Sequence, residues 1–196
     1  MNISTAYLRK LVRISLLMRL RNLIPTVAKL QLYKSAILPH LTYCHLVWHF
    51  CRASDTRRLE RLQEQGLRAN FRDRQSNYQQ LLDKANLPTL YNRRLQDICI
   101  LMYRVKHNLC PRTICNLFQA SNHTYRLRKA DFALPRFNTV AYDRHSLRYL
   151  GPKLWSNLSS KERLASSLKA FKSQIRRRDL SSFLEDGCMC CHLCNS

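Results

Sequence analysis

One segment of this 196-residue chain has the periodicity of a packed helix along its whole length. Apolar side chains over about residues 89–108 are spaced alternately by four and three residues, which places them on one face of an α-helix. The pattern predicts a long helix with an apolar seam in the core, and it places Arg93 and Arg94 on or beside its solvent faces. The seam residues are Tyr91, Leu95, Ile98, Met102, Val105 and Leu109.

Weaker helical patterns precede this segment. They predict helices over 5–22, 27–49, 55–71 and 78–85. Thr26 and Ser54 are expected to cap the second and third of these, and Pro39 is expected to kink or split the second. Gly66 lies on the apolar stripe of 55–71, where it costs about 1 kcal/mol relative to Ala and is expected to allow the close approach of another helix.

The pattern changes after Pro111. Basic, aromatic and β-branched residues alternate over 121–149, which predicts short strands or an extended hairpin. Gly151-Pro152 is expected to break the chain before two closing helices, around 154–155 and 168–175. The predicted fold is therefore mainly α. A helical bundle spans 1–118, a basic extension of short strands and helices spans 119–179, and a Cys-rich tail at 180–196 is expected to be disordered.

The charge of the chain restricts its partners. It carries 34 Lys and Arg against 12 Asp and Glu, a formal net charge of +22. Such a charge opposes folding by self-repulsion unless a polyanion screens it. Nucleic acid is the favoured polyanion, with an anionic membrane surface or a merely solvated basic protein as alternatives. No segment is apolar and long enough to span a membrane, so no membrane partner is expected.

Nine cysteines without a secretion signal indicate reduced thiols, which predicts a nuclear or cytoplasmic protein. Four cysteines, Cys188, Cys190, Cys191 and Cys194, crowd the tail together with His192, and the candidate zinc ligands among them are Cys188, Cys191, His192 and Cys194. The step from Cys191 to Cys194 suits Zn²⁺. A structural zinc site usually joins two distant pairs, however, so a tail without metal is the favoured interpretation and no other cofactor is expected.

Lys and Arg side chains contact phosphates, and Tyr and Phe can stack on bases for about 1–3 kcal/mol each. In the stretch 121–149 the aromatic side chains could equally face a core. The basic run 176–178 could bind phosphate, act as a nuclear-import signal or simply end a solvated helix. The residues expected to contact nucleic acid are Arg93, Arg94, Arg126, Arg128, Lys129, Arg136, Arg144, Arg148, Arg176, Arg177 and Arg178.

Catalytic patterns are missing from the sequence. Two-metal phosphoryl transfer needs converging carboxylates, and the only adjacent acids are Glu185-Asp186, next to the tail. No Gly-x-Ser-x-Gly occurs, and three scattered glycines cannot form a phosphate-cradling loop. The chain is therefore not expected to be an enzyme on its own.

Four phrases occur in a fixed order along the chain. They are LPHLTYC at 38–44 followed by Val47-Trp48, RLERLQ at 58–63, LPTLYNRRL at 87–95, and GPKLW at 151–155. In that order and spacing they resemble the region downstream of the polymerase palm in reverse transcriptases of LINE-type (non-LTR) retrotransposons. The resemblance extends over about residues 18–178. It implies a helical thumb with a C-terminal extension, which holds an RNA·DNA hybrid by its backbone through Arg and Lys.

Three hypotheses follow. The favoured one is a non-catalytic fragment of an RNA-directed DNA polymerase, without the palm and its Asp pair, that grips the backbone of RNA, DNA or an RNA–DNA hybrid. The second is a protein-interaction module whose apolar helices dock on a separate polymerase core, for which exposed apolar surface would be the sign. The third is a translated transposon remnant without function.

Overall fold

The computed structural model of the chain describes Arg19 and residues 23–119, 131–135 and 146–184. These residues are mainly α-helical, as predicted, and none of them forms a β-strand. The α-helices are α1 (Thr26–Leu32), α2 (Leu38–Thr42), α3 (Ala53–Phe71), α4 (Tyr78–Ala85), α5 (Leu90–Lys106), α6 (Arg112–Cys115), α7 (Leu147–Ser156), α8 (Ser160–Arg163) and α9 (Leu168–Ile175). A π-helical segment, Tyr33–Ile37, joins α1 to α2, and a 3₁₀ turn, Ser181–Leu184, follows α9.

The chain forms two compact units, and the division falls between Tyr91 and Asn92, within α5. The sequence analysis instead expected a change of architecture near residue 118. Each unit has its own buried core.

The core of the first unit forms on α3, which is contacted by α1, α2 and α4. The π segment, α2, α3, α4 and the first residue of α5 supply its apolar side chains. They are Tyr33, Ile37, Leu38, Leu41, Leu59, Leu62, Leu67, Leu81, Leu82, Ala85 and Leu90. Burial of this apolar surface stabilises the unit by about 25 cal/mol per Å² removed from water.

Gly66 confirms the close approach predicted for it. A Cβ atom at this position would lie 2.6 Å from Cε2 of Tyr33, whose side chain is fully buried. Only glycine therefore allows the π segment to pack this closely on the middle of α3.

The helical region before α3 is shorter than predicted. A kink or split was expected at Pro39; the backbone instead changes from π to α at Leu38, next to Pro39, and stays helical from Thr26 to Thr42. The continuation to His49 is wrong, since the helix ends at Thr42. The backbone there becomes extended at Tyr43, whose carbonyl accepts a hydrogen bond from Nε1 of Trp48 at 2.8 Å.

Both predicted N-caps are wrong. Thr26 is the first residue of α1 and Pro25 is its cap, while Ser54 is the second residue of α3 and Arg52 is its cap. In α3 the amides of Asp55 and Thr56 both donate to the carbonyl of Arg52, so the helix begins earlier than the side-chain signal suggested.

Glu60 caps α5 from the middle of α3. Its carboxylate accepts from the amides of Leu90 at 3.2 Å and Tyr91 at 2.8 Å, and from the hydroxyl of Tyr78 at 2.6 Å. The first amides of a helix have no intrahelical acceptor, and a carboxylate near that end also complements the helix dipole. Glu60 therefore ties α3, α4 and the start of α5 together.

Lys29 caps the C-terminal end of α3. Its side chain is buried, and its ammonium donates to the carbonyl of Asn70 at 3.1 Å, in the last turn of the helix. Burial and the positive charge of Arg72 lower the pKa of Lys29. The cation satisfies a helix carbonyl that would otherwise lack a partner.

The core of the second unit is aromatic. The rings of Tyr103 and Phe171 are stacked with centroids 4.5 Å apart, and Trp155 lies 5.7 Å from Phe171. Phe132 meets the Trp155 ring edge-on at 5.9 Å and the Phe118 ring at 6.3 Å. Edge-on and offset pairs of this kind each add about 0.5–1.5 kcal/mol beyond area burial.

α7 corrects two predictions. It runs through Gly151 and Pro152, so the expected break there is wrong, and it includes Arg148 and Tyr149, which were expected in a strand. The helical spacing of Leu147, Leu150 and Leu154 therefore outweighs the Gly-Pro break signal and the alternation that predicted a strand. The remainder of the predicted strand region, 121–130 and 136–145, lies outside the described residues.

Asp131 fixes residues 131–135 to the helices of the second unit. Its Oδ2 accepts from Nε1 of Trp155 at 2.7 Å and from Nζ of Lys106 at 3.0 Å. Burial alone would raise the pKa of Asp131, but these two hydrogen bonds and the neighbouring cations outweigh it and lower the pKa. Cys99 is buried in the same unit, and burial raises the pKa of its thiol to about 12.

We expect Gly66→Ala to destabilise the chain by about 1–3 kcal/mol, because the added methyl group overlaps the buried Tyr33 ring and must displace it. Helix propensity alone would favour Ala by about 1 kcal/mol. Urea denaturation monitored by circular dichroism measures the difference. Gln65→Ala, at the exposed neighbouring position, is the control and should change stability only slightly. An increase in stability for Gly66→Ala would contradict the close packing.

Candidate nucleic-acid interface

Each acidic residue in the described part of the chain has a hydrogen-bond or ion-pair partner in the protein itself. Each accepts a hydrogen bond or an ion pair from the chain, which lowers its capacity to neutralise cations elsewhere. These residues are Asp55, Glu60, Glu64, Asp73, Asp83, Asp97, Asp131, Glu162 and Asp179. Since Lys and Arg outnumber Asp and Glu by 34 to 12, many cations are left without a carboxylate.

Three of these cations lie together on α3. Arg57, Arg58 and Arg61 are exposed and are spaced by three and four residues, so they share the helix face opposite Leu59, Leu62 and Gly66. We call these three residues the arginine ridge. Along the axis Arg57 and Arg61 are about 6 Å apart, at 1.5 Å per residue.

Carboxylates on the same helix do not neutralise the arginine ridge. Glu60 is occupied by Tyr78 and the start of α5, and Glu64 pairs with Arg68 at 2.7 Å. Asp55 lies 3.6 Å from Arg58, whose side chain is 65% exposed, and an ion pair this open to water contributes little. Arg57 and Arg61 form no ion pair with any residue that the structure describes.

Arg68 continues the same face of α3 but has a structural task. Its Nε and a terminal nitrogen donate to Glu64, and its other terminal nitrogen donates to the carbonyl of Arg74 at 2.9 Å. The guanidinium thereby fixes the turn after α3. Because Arg68 is engaged in this way, the solvent-exposed guanidinium groups on this face are those of the arginine ridge.

Arg94 is not on a solvent face, so its predicted role as a phosphate contact is wrong. It is 1% exposed and ranks among the largest fully buried side chains of the described residues. It lies three residues after Tyr91 and four before Ile98, at the edge of the apolar seam. Arg93, the neighbouring predicted contact, is partly buried.

The run 176–178 is mostly engaged within the second unit. Arg176 pairs with Asp97, and Arg178 pairs with Glu162. The backbone is held as well, because the side-chain amide of Gln96 donates to the carbonyl of Arg178 at 2.9 Å. Of these three arginines, only Arg177 is exposed and has no side-chain hydrogen bond or ion pair with a described residue, so one of the three is available for phosphate.

Arg148 is exposed at the start of α7, and its Nε donates to the carbonyl of Leu117 at 3.2 Å. The remaining predicted contacts lie outside the described residues and stay predictions. They are Arg126, Arg128, Lys129, Arg136 and Arg144.

The proposed zinc ligands Cys188, Cys191, His192 and Cys194 also lie outside the described residues. Elsewhere, in 23–119, 131–135 and 146–184, no group of three or more His, Cys, Asp or Glu is arranged to hold a metal ion. In the same part of the chain, no helix is both long and apolar enough to cross a bilayer.

The arginine ridge is not among the contacts predicted from the sequence, although the sequence carries a signal for it. Arg57, Arg58 and Arg61 occupy the helical positions opposite the predicted apolar stripe of 55–71. The missing information was the state of the nearby acids, because helical spacing would pair Glu60 with Arg57 and Glu64 with Arg61. The structure instead directs Glu60 to Tyr78 and Tyr91.

Comparison with known proteins gives no relative: no family model, no curated protein and no solved structure matches the chain. The phrases that carry the resemblance do have structural roles here. Trp48 bonds to the Tyr43 carbonyl, Leu90 and Tyr91 receive the Glu60 cap, and Trp155 bonds to Asp131. These residues pack the units, whereas the phrase at 58–63 also contains Arg58 and Arg61 of the arginine ridge.

We expect Arg178→Gln to reduce stability by about 1 kcal/mol near neutral pH, because it removes a charged donor from Glu162. Burial alone would raise the pKa of Glu162, but the hydrogen bonds from Arg178 and Ser159 outweigh it and lower the pKa. A lowered carboxyl pKa stabilises above its unfolded value, about 4.3, and that contribution is lost as the pH falls further.

Urea midpoints measured from neutral pH down to about pH 2 test this. The difference between Arg178→Gln and the wild type should be present above pH 5 and shrink as Glu162 is protonated, roughly below pH 4. Arg177→Gln, which removes the same charge without a partner, is the matched control and should leave the curve unchanged. Equal midpoints for wild type and Arg178→Gln throughout would disprove the pairing.

Proposed function

We propose that the chain binds nucleic acid through the phosphate backbone and has no catalytic activity of its own. The observation that carries this proposal is the arginine ridge: exposed guanidinium groups on one face of α3, where Glu60 and Glu64 are engaged elsewhere and Asp55 forms only a solvent-exposed pair with Arg58. A phosphate strand is the polyanion that suits such an array, because each guanidinium can donate two parallel hydrogen bonds to one phosphate.

The rigidity of α3 supports the proposal. The helix is held at its start by Arg52, along its middle by Tyr33 against Gly66, and at its end by Lys29. Arginines projecting from a fixed helix lose less freedom on binding than arginines on a loose segment. Phosphates of one strand follow each other every 3.4 Å or so along a duplex axis, so Arg57 and Arg61 match a separation of about two phosphates.

Backbone contacts carry no sequence information, so binding is expected to be insensitive to base sequence. The phrases that resemble LINE-type reverse transcriptases support a template–primer hybrid as the natural partner. On that basis the chain is a thumb-like and C-terminal part of such a polymerase, one that grips the duplex while the chemistry occurs elsewhere. RNA, DNA and the hybrid all present the phosphates that the ridge requires.

Binding is expected to depend steeply on salt. If about six phosphates of a duplex are neutralised, log K falls against log salt with a slope near −5. Arg57→Gln/Arg61→Gln should make this slope shallower by about 2, because two phosphate contacts are lost. Fluorescence anisotropy of a labelled hybrid duplex, titrated at several salt concentrations, measures both slopes.

Lys34→Gln/Arg74→Gln is the matched control, since it removes the same charge from the first unit outside the arginine ridge. It should leave the slope within about half a unit of the wild type, because long-range attraction is screened within about 10 Å at 0.1 M salt. A wild-type slope near zero would refute phosphate-dominated binding. Equal losses in the two double variants would show that net charge, and not the ridge, attracts the nucleic acid.

A second candidate function has its own observation. Several apolar side chains of the first unit are exposed, with Leu23 at 79%, Val27 at 72% and Val47 at 83%. Exposed apolar surface is the sign of a protein-docking surface. The corresponding function is a module that docks on a separate polymerase core.

This second function predicts that the isolated chain self-associates through the uncovered surface. We expect its sedimentation coefficient to rise with protein concentration, and Val27→Ser/Val47→Ser to reduce that rise, because both side chains are mostly exposed. Val105→Ser, at a buried position, is unsuitable as a control, whereas Leu164→Ser removes an equally exposed apolar group from the second unit. A wild-type chain that stays monomeric at all concentrations would count against docking.

A further inference from the structure

We propose that the second unit carries its own phosphate-binding surface, so that the chain holds one nucleic-acid strand at two places. This inference rests on the proposed function, and it adds a second point of contact on a different unit. The residues of this surface are Lys169, Lys172 and Arg177, which we call the α9 surface.

The α9 surface is a helix face without carboxylates. Phe171 and Ile175 are fully buried, so α9 turns its other side to water. Lys169 is exposed and Lys172 partly exposed, and they are three residues apart on that side. No acidic residue occurs between Leu168 and Arg178, and neither lysine forms an ion pair with the described residues.

Arg177 follows α9 on a backbone that is held on both sides. Its neighbours Arg176 and Arg178 pair with Asp97 and Glu162, and Gln96 donates to the Arg178 carbonyl. Leu180, three residues after Arg177, is fixed too, because its amide donates to Oδ1 of Asn92 at 2.9 Å. Arg177 is therefore presented from a fixed turn, which reduces the entropy lost when it binds a phosphate.

Two surfaces on two compact units change how affinity depends on the length of the strand. A strand too short to reach both surfaces binds one of them at a time. A long flexible strand that is bound at one surface is present at a high effective concentration near the other, and such linkage commonly adds a factor of about 10² to 10⁴ in affinity. A longer strand also binds more tightly simply because it offers more binding positions. Bivalent binding predicts a gain in affinity with strand length that is larger than this statistical effect.

The experiment compares oligothymidylates of about 4 and about 60 nucleotides, which form no duplex; the shorter one covers only the smallest single binding site and the longer one exceeds several sites. The measured quantity is the ratio of the two dissociation constants. We expect this ratio in the wild type to exceed that of either single-surface variant by at least tenfold. The variants are Arg57→Gln/Arg61→Gln for the arginine ridge and Lys169→Gln/Lys172→Gln/Arg177→Gln for the α9 surface.

A charge-matched variant of the second unit separates the α9 surface from net charge. Arg104, Arg112 and Lys161 are exposed and lie outside α9, so Arg104→Gln/Arg112→Gln/Lys161→Gln removes the same charge. It should keep the wild-type ratio. Arg177→Gln alone removes no side-chain hydrogen bond or ion pair of the described residues and should lower the ratio in the same direction, which keeps the test decisive if the triple α9 variant folds poorly.

The outcomes separate this inference from the proposed function. If the wild type and the α9 variant have the same ratio while both strands still bind with salt-dependent affinity, the second surface is wrong and nucleic-acid binding stands. If neither strand binds in a salt-dependent way, the proposed function fails and the two-surface inference fails with it. If the charge-matched variant also loses the ratio, net charge explains the effect and the α9 surface is refuted.

Discussion

The scarcity of carboxylates is the constraint on which the rest of the structure depends. With 12 acids for 34 cations, the chain cannot neutralise its surface, and it uses its carboxylates to position backbone and side chains instead. Glu60 is the clearest case, because it holds the start of α5 and the hydroxyl of Tyr78 at once. A carboxylate used in this way stabilises the fold through several hydrogen bonds, each worth about 1 kcal/mol or more when charged. It is then not available to neutralise a cation on the surface. The uncompensated cations therefore follow from how the fold is held together.

Cations take over tasks that carboxylates or neutral groups perform in other proteins. Lys29 is buried at the end of α3 and satisfies a backbone carbonyl there, and Arg68 fixes the following turn through Glu64 and the Arg74 carbonyl. Burying an ammonium group is costly unless it is hydrogen-bonded, and the lowered pKa of Lys29 reflects that cost. An abundance of cations thus enters the interior as well as the surface, and the buried Arg94 belongs to the same pattern.

Local periodicity predicted α3, α4, α5 and α9 with ends within a few residues, because each buries an apolar stripe that repeats at helical spacing. It also predicted the close approach at Gly66. Local periodicity could not predict the side chains that cap the helices, because Glu60 acts on residues about thirty positions away and Lys29 on a residue forty-one positions away. Arg94 was misplaced because a helix buried on most sides has no clear solvent face for a pattern to reveal. The arginine ridge lay in the spacing of α3, but the availability of Arg57 depends on where Glu60 points, and that is set by its tertiary contacts with Tyr78 and Tyr91.

The buried Cys99 gives the second unit a built-in reporter. Burial raises the pKa of its thiol, so little thiolate is present at neutral pH, and the side chain is also shielded from reagents. Partly exposed cysteines such as Cys51 and Cys115 remain open to alkylation in the folded protein. Alkylation of Cys99 therefore requires the interior around α5 to open first. Its slow labelling rate is a direct measure of how often that interior becomes accessible, without any engineered probe.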